Sequence, residues 1–207
     1  AEYFEFRSFC PEIDIGLGVP RTPIRLTRKQ SHDIRCIAID DAATDYTGAL
    51  GNCADGQRSW HQNLCGYIFK QGSPSCGMAG VKVWGELAPG LDGIGVYAGK
   101  TMQNFPGLPC EEECSLGDNV RRENFIKRVL AMGRWHELHE RGFSIQRLWD
   151  FHNCHLDILM RHDRDGCEQL ETLLTKTTGD LLLENAGIYL IQFMAVLKAR
   201  QAGEILR

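Results

Sequence analysis

The distribution of proline divides the chain into two parts. All 7 prolines lie before residue 119, with most of the 22 glycines, and none follows. Because proline breaks helices and glycine weakens them, the first part favours short strands and turns, and the second favours continuous helices. Apolar residues recur at three- and four-residue spacing after Asn119, which is typical of amphipathic helices. We therefore predict an α/β domain over residues 1–119 and an all-helical domain over residues 120–207.

Periodicity and turn residues place the individual elements. Three β-rich runs predict strands in a small, mostly parallel open sheet: 34–39, 65–70 and 81–84. Helices are predicted within 44–64 and over 95–105. In the second part the predicted helices are 120–140, 144–162, 167–177 and 179–203, and their short links imply antiparallel packing.

Composition excludes several classes of protein. A net charge of -4 argues against general binding of a phosphate backbone, so any contact with nucleic acid has to be local. Nine cysteines without a Cys-x-x-Cys pair fit a reducing cytoplasm better than a disulfide scaffold. The longest apolar run, Ala186–Leu197, has 12 residues and contains Gln192, so we predict no membrane span. The chain does not begin with Met, and we expect it to be a fragment that is cut short at both ends.

The densest group of reactive side chains is Gln71-Gly72-Ser73-Pro74-Ser75-Cys76-Gly77, directly after the predicted strand that ends at Lys70. Two glycines and a proline fix a tight turn that presents two hydroxyls, a thiol and backbone N–H groups, as loops that bind anions or metal clusters do. The alternative is an ordinary polar turn with a buried cysteine.

A second candidate is Cys10-Pro11-Glu12, which places a thiol two residues from a carboxylate. Gly16, Gly18 and Pro20 shape the loop that follows it, up to Arg21. The next stretch is locally basic, with Arg21, Arg25, Arg28, Lys29 and Arg35 against Asp33. It predicts either contact with a phosphate-bearing substrate or a solvated face.

Together the two loops resemble the thiouracil desulfidase (TudS-like) domain. The resemblance continues through Leu64-Cys65-Gly66-Tyr67-Ile68, Gly77-Met78, Val81-Lys82-Val83, Phe105-Pro106, Leu108-Pro109 and Glu111-Glu112-Glu113. The helical part, from Arg122-Glu123-Asn124-Phe125 to His152-Asn153-Cys154-His155, resembles the YbgA-like domain that is often fused behind it. Proteins with this fusion are implicated in removing sulfur from thiouridine in tRNA.

The resemblance implies a 4Fe-4S cluster held by three cysteines, with one iron open to the sulfur of the substrate. Cys10 and Cys76 match two of the ligands. The third is expected upstream of Ala1, or another cysteine replaces it, although Cys36, Cys53 and Cys65 have no matching loop. Without its third ligand we expect the chain to be inactive.

The roles of the other site residues follow from the same resemblance. Glu12 would activate the attacking water and Ser73 would relay a proton, while Ser75 and Arg21 would bind the substrate. That substrate would be a thiolated uracil or thiouridine, tRNA included.

The sequence also leaves other readings open. The histidine pairs His136/His139 and His152/His155 have helical i, i+3 spacing and predict either a metal site with nearby carboxylates or a structural or RNA-positioning role. The main rival function is a non-catalytic RNA-binding or regulatory module whose cysteines are structural or bind zinc. A third reading makes Cys76 a nucleophile.

Overall fold

The computed structural model describes residues 4–28, 33–85 and 89–199. The chain divides into two compact units. Unit 1 comprises Ala1–Gln62, Phe69–Asn104 and Glu112–Cys114, and unit 2 comprises Asn63–Ile68, Phe105–Glu111 and Ser115–Arg207.

The strands, in chain order, are β1 (Ile24–Arg28), β2 (Ile34–Ala38), β3 (Tyr67–Phe69), β4 (Val81–Trp84), β5 (Gly90–Gly93) and β6 (Cys110–Glu112). The helices are α1 (Pro11–Asp14), α2 (Thr47–Gly56), α3 (Arg58–His61), α4 (Val96–Asn104), α5 (Asn119–Glu140), α6 (Ile145–His162), α7 (Arg164–Thr175) and α8 (Leu182–Lys198). Short 3₁₀ segments, Glu113–Gly117 and Gly179–Leu181, precede α5 and α8.

The sheet of unit 1 has the strand order β2-β1-β4-β5. The α/β class of this part is confirmed, but the prediction of a mostly parallel sheet is wrong. Within this four-stranded sheet β1 and β4 pair in parallel, while β1–β2 and β4–β5 are antiparallel. Short connections explain the difference, because β1–β2 and β4–β5 are each joined by a few residues, too few for a crossover. Strands β3 and β6 form a separate two-stranded ladder.

Strand β1 lies inside the stretch that sequence analysis treats as basic. Its residues alternate between apolar and polar, and Ile24 and Leu26 are buried in a core with Leu50, Val81 and Val83. Arg25 and Thr27 lie on the other face of the strand, and Arg28 is its last residue. The period-2 pattern was therefore present in the sequence, but the local charge concealed it.

Helices α2 and α3 divide the region in which one crossover helix was predicted. The break falls at Gln57, directly after Gly56. Leu50, Cys53 and Ala54 form the buried side of α2. The helix predicted over 95–105 is confirmed as α4 and stops before Pro106.

Unit 2 is helical, as predicted. Asp118, Ser144 and Asp163 cap α5, α6 and α7, each accepting a hydrogen bond from a backbone N–H at 3.0–3.2 Å. The core contains Trp135, Phe151, Tyr189 and Phe193, whose rings pack against one another. The predicted extension of the last helix to residue 203 reaches beyond the described residues.

By length and composition alone, the segment Gly179–Lys198 could cross a membrane. Core helices of globular proteins pass the same test. Helix α8 packs against α5, α6 and α7, and its residues Ala186, Tyr189, Phe193 and Leu197 are buried there. This packing favours the role of a core helix.

Candidate functional site

The two loops predicted to carry chemistry lie together in unit 1. Cys10 directly precedes the single turn α1, and Glu12 is part of that turn. The chain then reverses through Gly16 and Gly18, which have φ angles of 90° and 69°. These left-handed conformations strain any residue with a side chain, so glycine at both positions lets the loop bring Arg21 back towards Glu12.

Glu12 has a charged partner on one oxygen and a hydroxyl partner on the other. Its Oε2 lies 2.6 Å from Arg21 Nε. Its Oε1 accepts a hydrogen bond of 2.5 Å from Ser75 Oγ, which belongs to the second loop. The side chain of Glu12 is only 14% exposed, so both contacts are shielded from bulk water and hold the carboxylate in one orientation.

A chain of hydroxyl groups leads from Glu12 into the second loop. Ser73 Oγ and Ser75 Oγ lie 2.9 Å apart. Because Ser75 uses its only proton on Glu12, Ser73 has to be the donor in this pair. Ser73 Oγ in turn accepts from the backbone N–H groups of Ser75 and Cys76 at 3.3 and 3.2 Å. The hydrogen bonds therefore run in one direction, from the loop backbone to the carboxylate.

Both predicted cysteine ligands border this network. Arg21 Nη2 lies 3.6 Å from Cys10 Sγ, and Ser75 Oγ lies 3.5 Å from Cys76 Sγ. The structure thus joins all six predicted site residues by direct contacts: Cys10, Glu12, Arg21, Ser73, Ser75 and Cys76.

Burial raises the pKa of the Cys76 thiol to about 11, and the nearby Glu12 adds to this effect. A thiol with that pKa is protonated at neutral pH. An activated cysteine nucleophile needs a lowered pKa, so this environment disfavours the reading of Cys76 as a nucleophile. A bound metal would remove the proton by coordination.

A third thiol, Cys53 of α2, lies beside the two loops. Its Sγ donates to Asp14 Oδ2 at 3.2 Å. Burial and this contact raise its pKa to about 12, and Cys76 and Cys10 also contribute through their charge. No loop motif surrounds Cys53 in the sequence. Its position on the buried side of a helix brings it here, which a motif search does not detect.

Two acidic residues hold the second loop at both ends. Glu113 Oε2 accepts from the backbone N–H of Gln71 at 2.7 Å, and Glu112 Oε1 accepts from that of Met78 at 2.8 Å. In the sequence these glutamates carry only a resemblance to a family and indicate no role. In the structure they fix the backbone on either side of Ser73–Cys76.

Helix α4 begins against the same loop. The backbone N–H of Gly95 donates to Gly77 O at 2.7 Å, and that of Val96 donates to Pro74 O at 3.1 Å. A Cβ on Gly95 would lie 2.6 Å from Cys76 N and from the Ser75 carbonyl. Only glycine allows the helix start to approach the loop backbone this closely.

Three of the four described basic residues in the stretch from Arg21 to Arg35 lie close to an acidic side chain, and the fifth, Lys29, lies outside the described residues. Arg21 contacts Glu12, Arg28 contacts Asp92 at 2.6 Å, and Arg35 lies 3.6 Å from Asp45. These pairs reduce the positive charge that a phosphate would meet. The arrangement favours a solvated face over a phosphate site along β1 and β2.

Comparison with protein families supplies the class of this site. A model of the 2-thiouracil desulfurase family matches residues 1–113, which is more than half of the chain. The chain belongs to this family. The match to the desulfurase family includes both loops, Glu112 and Glu113. Searches of curated proteins and of solved structures found no match.

The helical region beyond residue 113 lies outside the desulfurase match, and its YbgA-like identity stays a prediction. His152 and His155 are buried there. His155 Nδ1 donates to Phe151 O at 2.7 Å, and its Nε2 accepts from Arg134 at 3.1 Å. Burial favours the structural role for this pair over contact with RNA.

Proposed function

We propose that this protein is an iron–sulfur-dependent desulfidase that replaces the sulfur of a thiolated uracil or thiouridine with oxygen. The observation that carries the proposal is the position of Glu12, held by Arg21 and Ser75 between two cysteines in a chain that belongs to the desulfurase family. The overall reaction is R₂C=S + H₂O → R₂C=O + H₂S, which needs no oxidant or reductant. A cytoplasmic location is part of the same proposal.

The chemistry of the two thiols fits iron–sulfur ligation. Iron–sulfur clusters are held by thiolates and tuned by hydrogen bonds to sulfur. Arg21 donates towards Cys10 Sγ, and Ser75 Oγ lies close to Cys76 Sγ. In this proposal Cys10 and Cys76 are two of three ligands. The third comes from a segment before Ala1 or from Cys53, the described thiol beside them.

A bound 4Fe-4S cluster with one open iron would supply Lewis-acid polarisation of the thiocarbonyl. Glu12 removes the proton from the attacking water, as a general base. Each carboxylate oxygen has two acceptor positions, so hydrogen bonds from Arg21 and Ser75 leave capacity for a water molecule. Arg21 and Ser75 position this base.

The two serines provide a path for the proton that Glu12 takes up. Once Glu12 is protonated, the hydroxyls of Ser75 and Ser73 have to reorient, so that Glu12 donates to Ser75, Ser75 donates to Ser73, and Ser73 delivers its proton to the substrate ring. Ser75 is fully buried whereas Ser73 is partly exposed. This difference supports Ser73 as the end of the path that faces the substrate, and Ser75 as the internal link.

The family match favours this enzyme over a non-catalytic RNA-binding module. The rates of sulfide release from three substrates decide whether the protein acts on a free base, a nucleoside or tRNA. We expect sulfide release from 2-thiouracil, 2-thiouridine or thiolated tRNA, and the fastest of the three identifies the substrate class.

The test is an anaerobic assay of sulfide and of the oxygenated product, in water enriched in ¹⁸O. It compares the protein from the complete gene with the 207-residue chain and with Glu12→Gln at equal iron content. We expect one ¹⁸O per product and a loss of about 10²–10⁴-fold in kcat for Glu12→Gln. Product without ¹⁸O, or full activity in Glu12→Gln, would overturn the mechanism.

A further inference from the structure

Unit 2 contains a group of metal-ligating side chains that the desulfurase chemistry does not use. A ring nitrogen of His152, the Sγ of Cys167 and a carboxylate oxygen of Glu171 all lie within 4.8 Å of one another. His152 belongs to α6, and Cys167 and Glu171 are four residues apart on α7. Cys167 and Glu171 therefore share one face of α7, and this face is turned towards His152 of α6.

The imidazole of His152 is set up as a ligand. It is fully buried, and its Nδ1 lies 3.0 Å from the hydroxyl of Tyr189. Within the described part of the chain its Nε2 has no hydrogen-bond partner, and Glu171 Oε1 is 3.5 Å away. A buried nitrogen without a hydrogen bond is costly. A metal on Nε2 would satisfy it, with Nδ1–H donating to Tyr189 as metal-bound histidines commonly do.

The charges around Cys167 also favour a cation. The thiol is buried, and burial together with Glu171, Glu168 and Asp163 raises its pKa. The negative groups that hinder the thiolate would attract a divalent ion. Burial keeps the pKa of His152 below its usual range, so the imidazole is in the neutral form that binds metals.

The ligand types select the metal. Nitrogen, sulfur and carboxylate oxygen together suit Zn²⁺, whereas Mg²⁺ and Ca²⁺ prefer oxygen ligands. A tetrahedral zinc site places neighbouring ligand atoms roughly 3.3–3.8 Å apart, given Zn–N and Zn–S distances of about 2.0–2.3 Å. The distance of 3.5 Å between His152 Nε2 and Glu171 Oε1 falls in this range. The charges also balance, because one thiolate and one carboxylate neutralise Zn²⁺.

We infer that His152, Cys167 and Glu171 bind a zinc ion, with water in the fourth position. The side chain of Glu171 is 44% exposed, so solvent and metal reach the site from that side. Bound zinc would join α6 to α7 and, through Tyr189, to α8. This site is separate in sequence from Cys10 and Cys76 and is independent of the proposed desulfidase activity.

The test uses the full chain, freed of metal by a chelator and titrated with Co²⁺ as a spectroscopic probe and with Zn²⁺ in competition. We expect a thiolate-to-cobalt charge-transfer band that is lost in Cys167→Ser. The band should persist in Cys154→Ser, a control on α6, and in the double variant Cys10→Ser/Cys76→Ser. Retention of the band in Cys167→Ser, or its loss only in the double variant, would overturn the proposal.

Because Cys167 is buried, a second pair of variants tests the site without changing the core. Glu171→Gln should weaken zinc binding by about tenfold or more, as even residues outside the ligand set have effects of this size. Asp165→Asn, which changes an exposed carboxylate of α7 outside this group of charges, should leave the zinc affinity unchanged. Equal zinc affinity in these two variants, or no zinc binding by the wild-type chain, would overturn the proposal.

Discussion

At the residue scale, the contacts of Glu12 explain why the site needs two loops. Arg21 comes from the first loop and Ser75 from the second, and each holds a different oxygen of the carboxylate. The sequence predicted all of these residue types. It did not predict that Ser75, rather than Ser73, contacts Glu12, because that depends on the conformation of the turn and on a pairing 63 positions apart.

Replacing Ser75 tests this arrangement. Ser75→Ala removes a buried hydrogen bond to a charged group, which is worth about 1.5–3 kcal/mol, so we expect kcat to fall about 10–100-fold. Sulfide release at equal iron content measures the effect. Ser115→Ala, which changes a serine outside the site, should leave the rate unchanged. A Ser75→Ala enzyme with wild-type kcat would show that Glu12 is positioned without it.

At the element scale, the start of α4 supports the loop that carries Cys76. Gly95 and Val96 donate to carbonyl groups of Gly77 and Pro74, and Glu112 and Glu113 hold the loop ends. Helix α4 is predictable from the sequence because Pro106 and the helical pattern mark it. Strand β5 is not predictable, since Gly90–Gly93 has neither β-branched residues nor alternation.

The close approach at Gly95 predicts a large effect from one methyl group. Gly95→Ala should lower the free energy of unfolding by about 1–3 kcal/mol and reduce the iron content, because the loop backbone has to move away. Gly51→Ala is the matched control, since a Cβ there meets nothing within 4 Å and helix propensity predicts a gain of about 0.5–1 kcal/mol. Urea unfolding measures both. Equal stability of the two variants would contradict this packing.

At the scale of the whole molecule, both units bury neutral histidines. Burial lowers the pKa of His61 in unit 1 and of His152 and His155 in unit 2. Helical periodicity made unit 2 predictable from sequence to within a few residues at most helix ends. The contacts between its helices were not predictable in this way. Histidine pairs within one helix therefore do not reveal Cys167 and Glu171 as neighbours of His152.

The lowered pKa of these histidines predicts sensitivity to acid. The unfolded chain binds protons at the ordinary histidine pKa of 6.5, whereas buried His155 does so only at lower pH. The stabilisation that comes from this difference is therefore complete above pH 6.5. At lower pH the free energy of unfolding decreases, by up to about 1.4 kcal/mol per pH unit for each histidine. In His155→Gln we expect the free energy of unfolding to fall less steeply between pH 7 and pH 5.

Urea unfolding over that pH range checks the slope. His139→Gln, which replaces an exposed histidine on α5, should keep the wild-type slope. A slope unchanged in His155→Gln would mean that His155 accepts a proton as readily in the folded protein as in the unfolded chain.

The central claim is that Cys10 and Cys76 hold an iron–sulfur cluster beside Glu12. Its most direct test is the iron and acid-labile sulfide content of the protein from the complete gene, purified without air, with Cys10→Ser, Cys76→Ser and Cys53→Ser alongside. We predict about four of each per wild-type chain and a large loss in Cys10→Ser and Cys76→Ser. The result for Cys53→Ser identifies the third ligand. Zinc or no metal in the wild-type protein, or unchanged iron in Cys10→Ser and Cys76→Ser, would contradict the account.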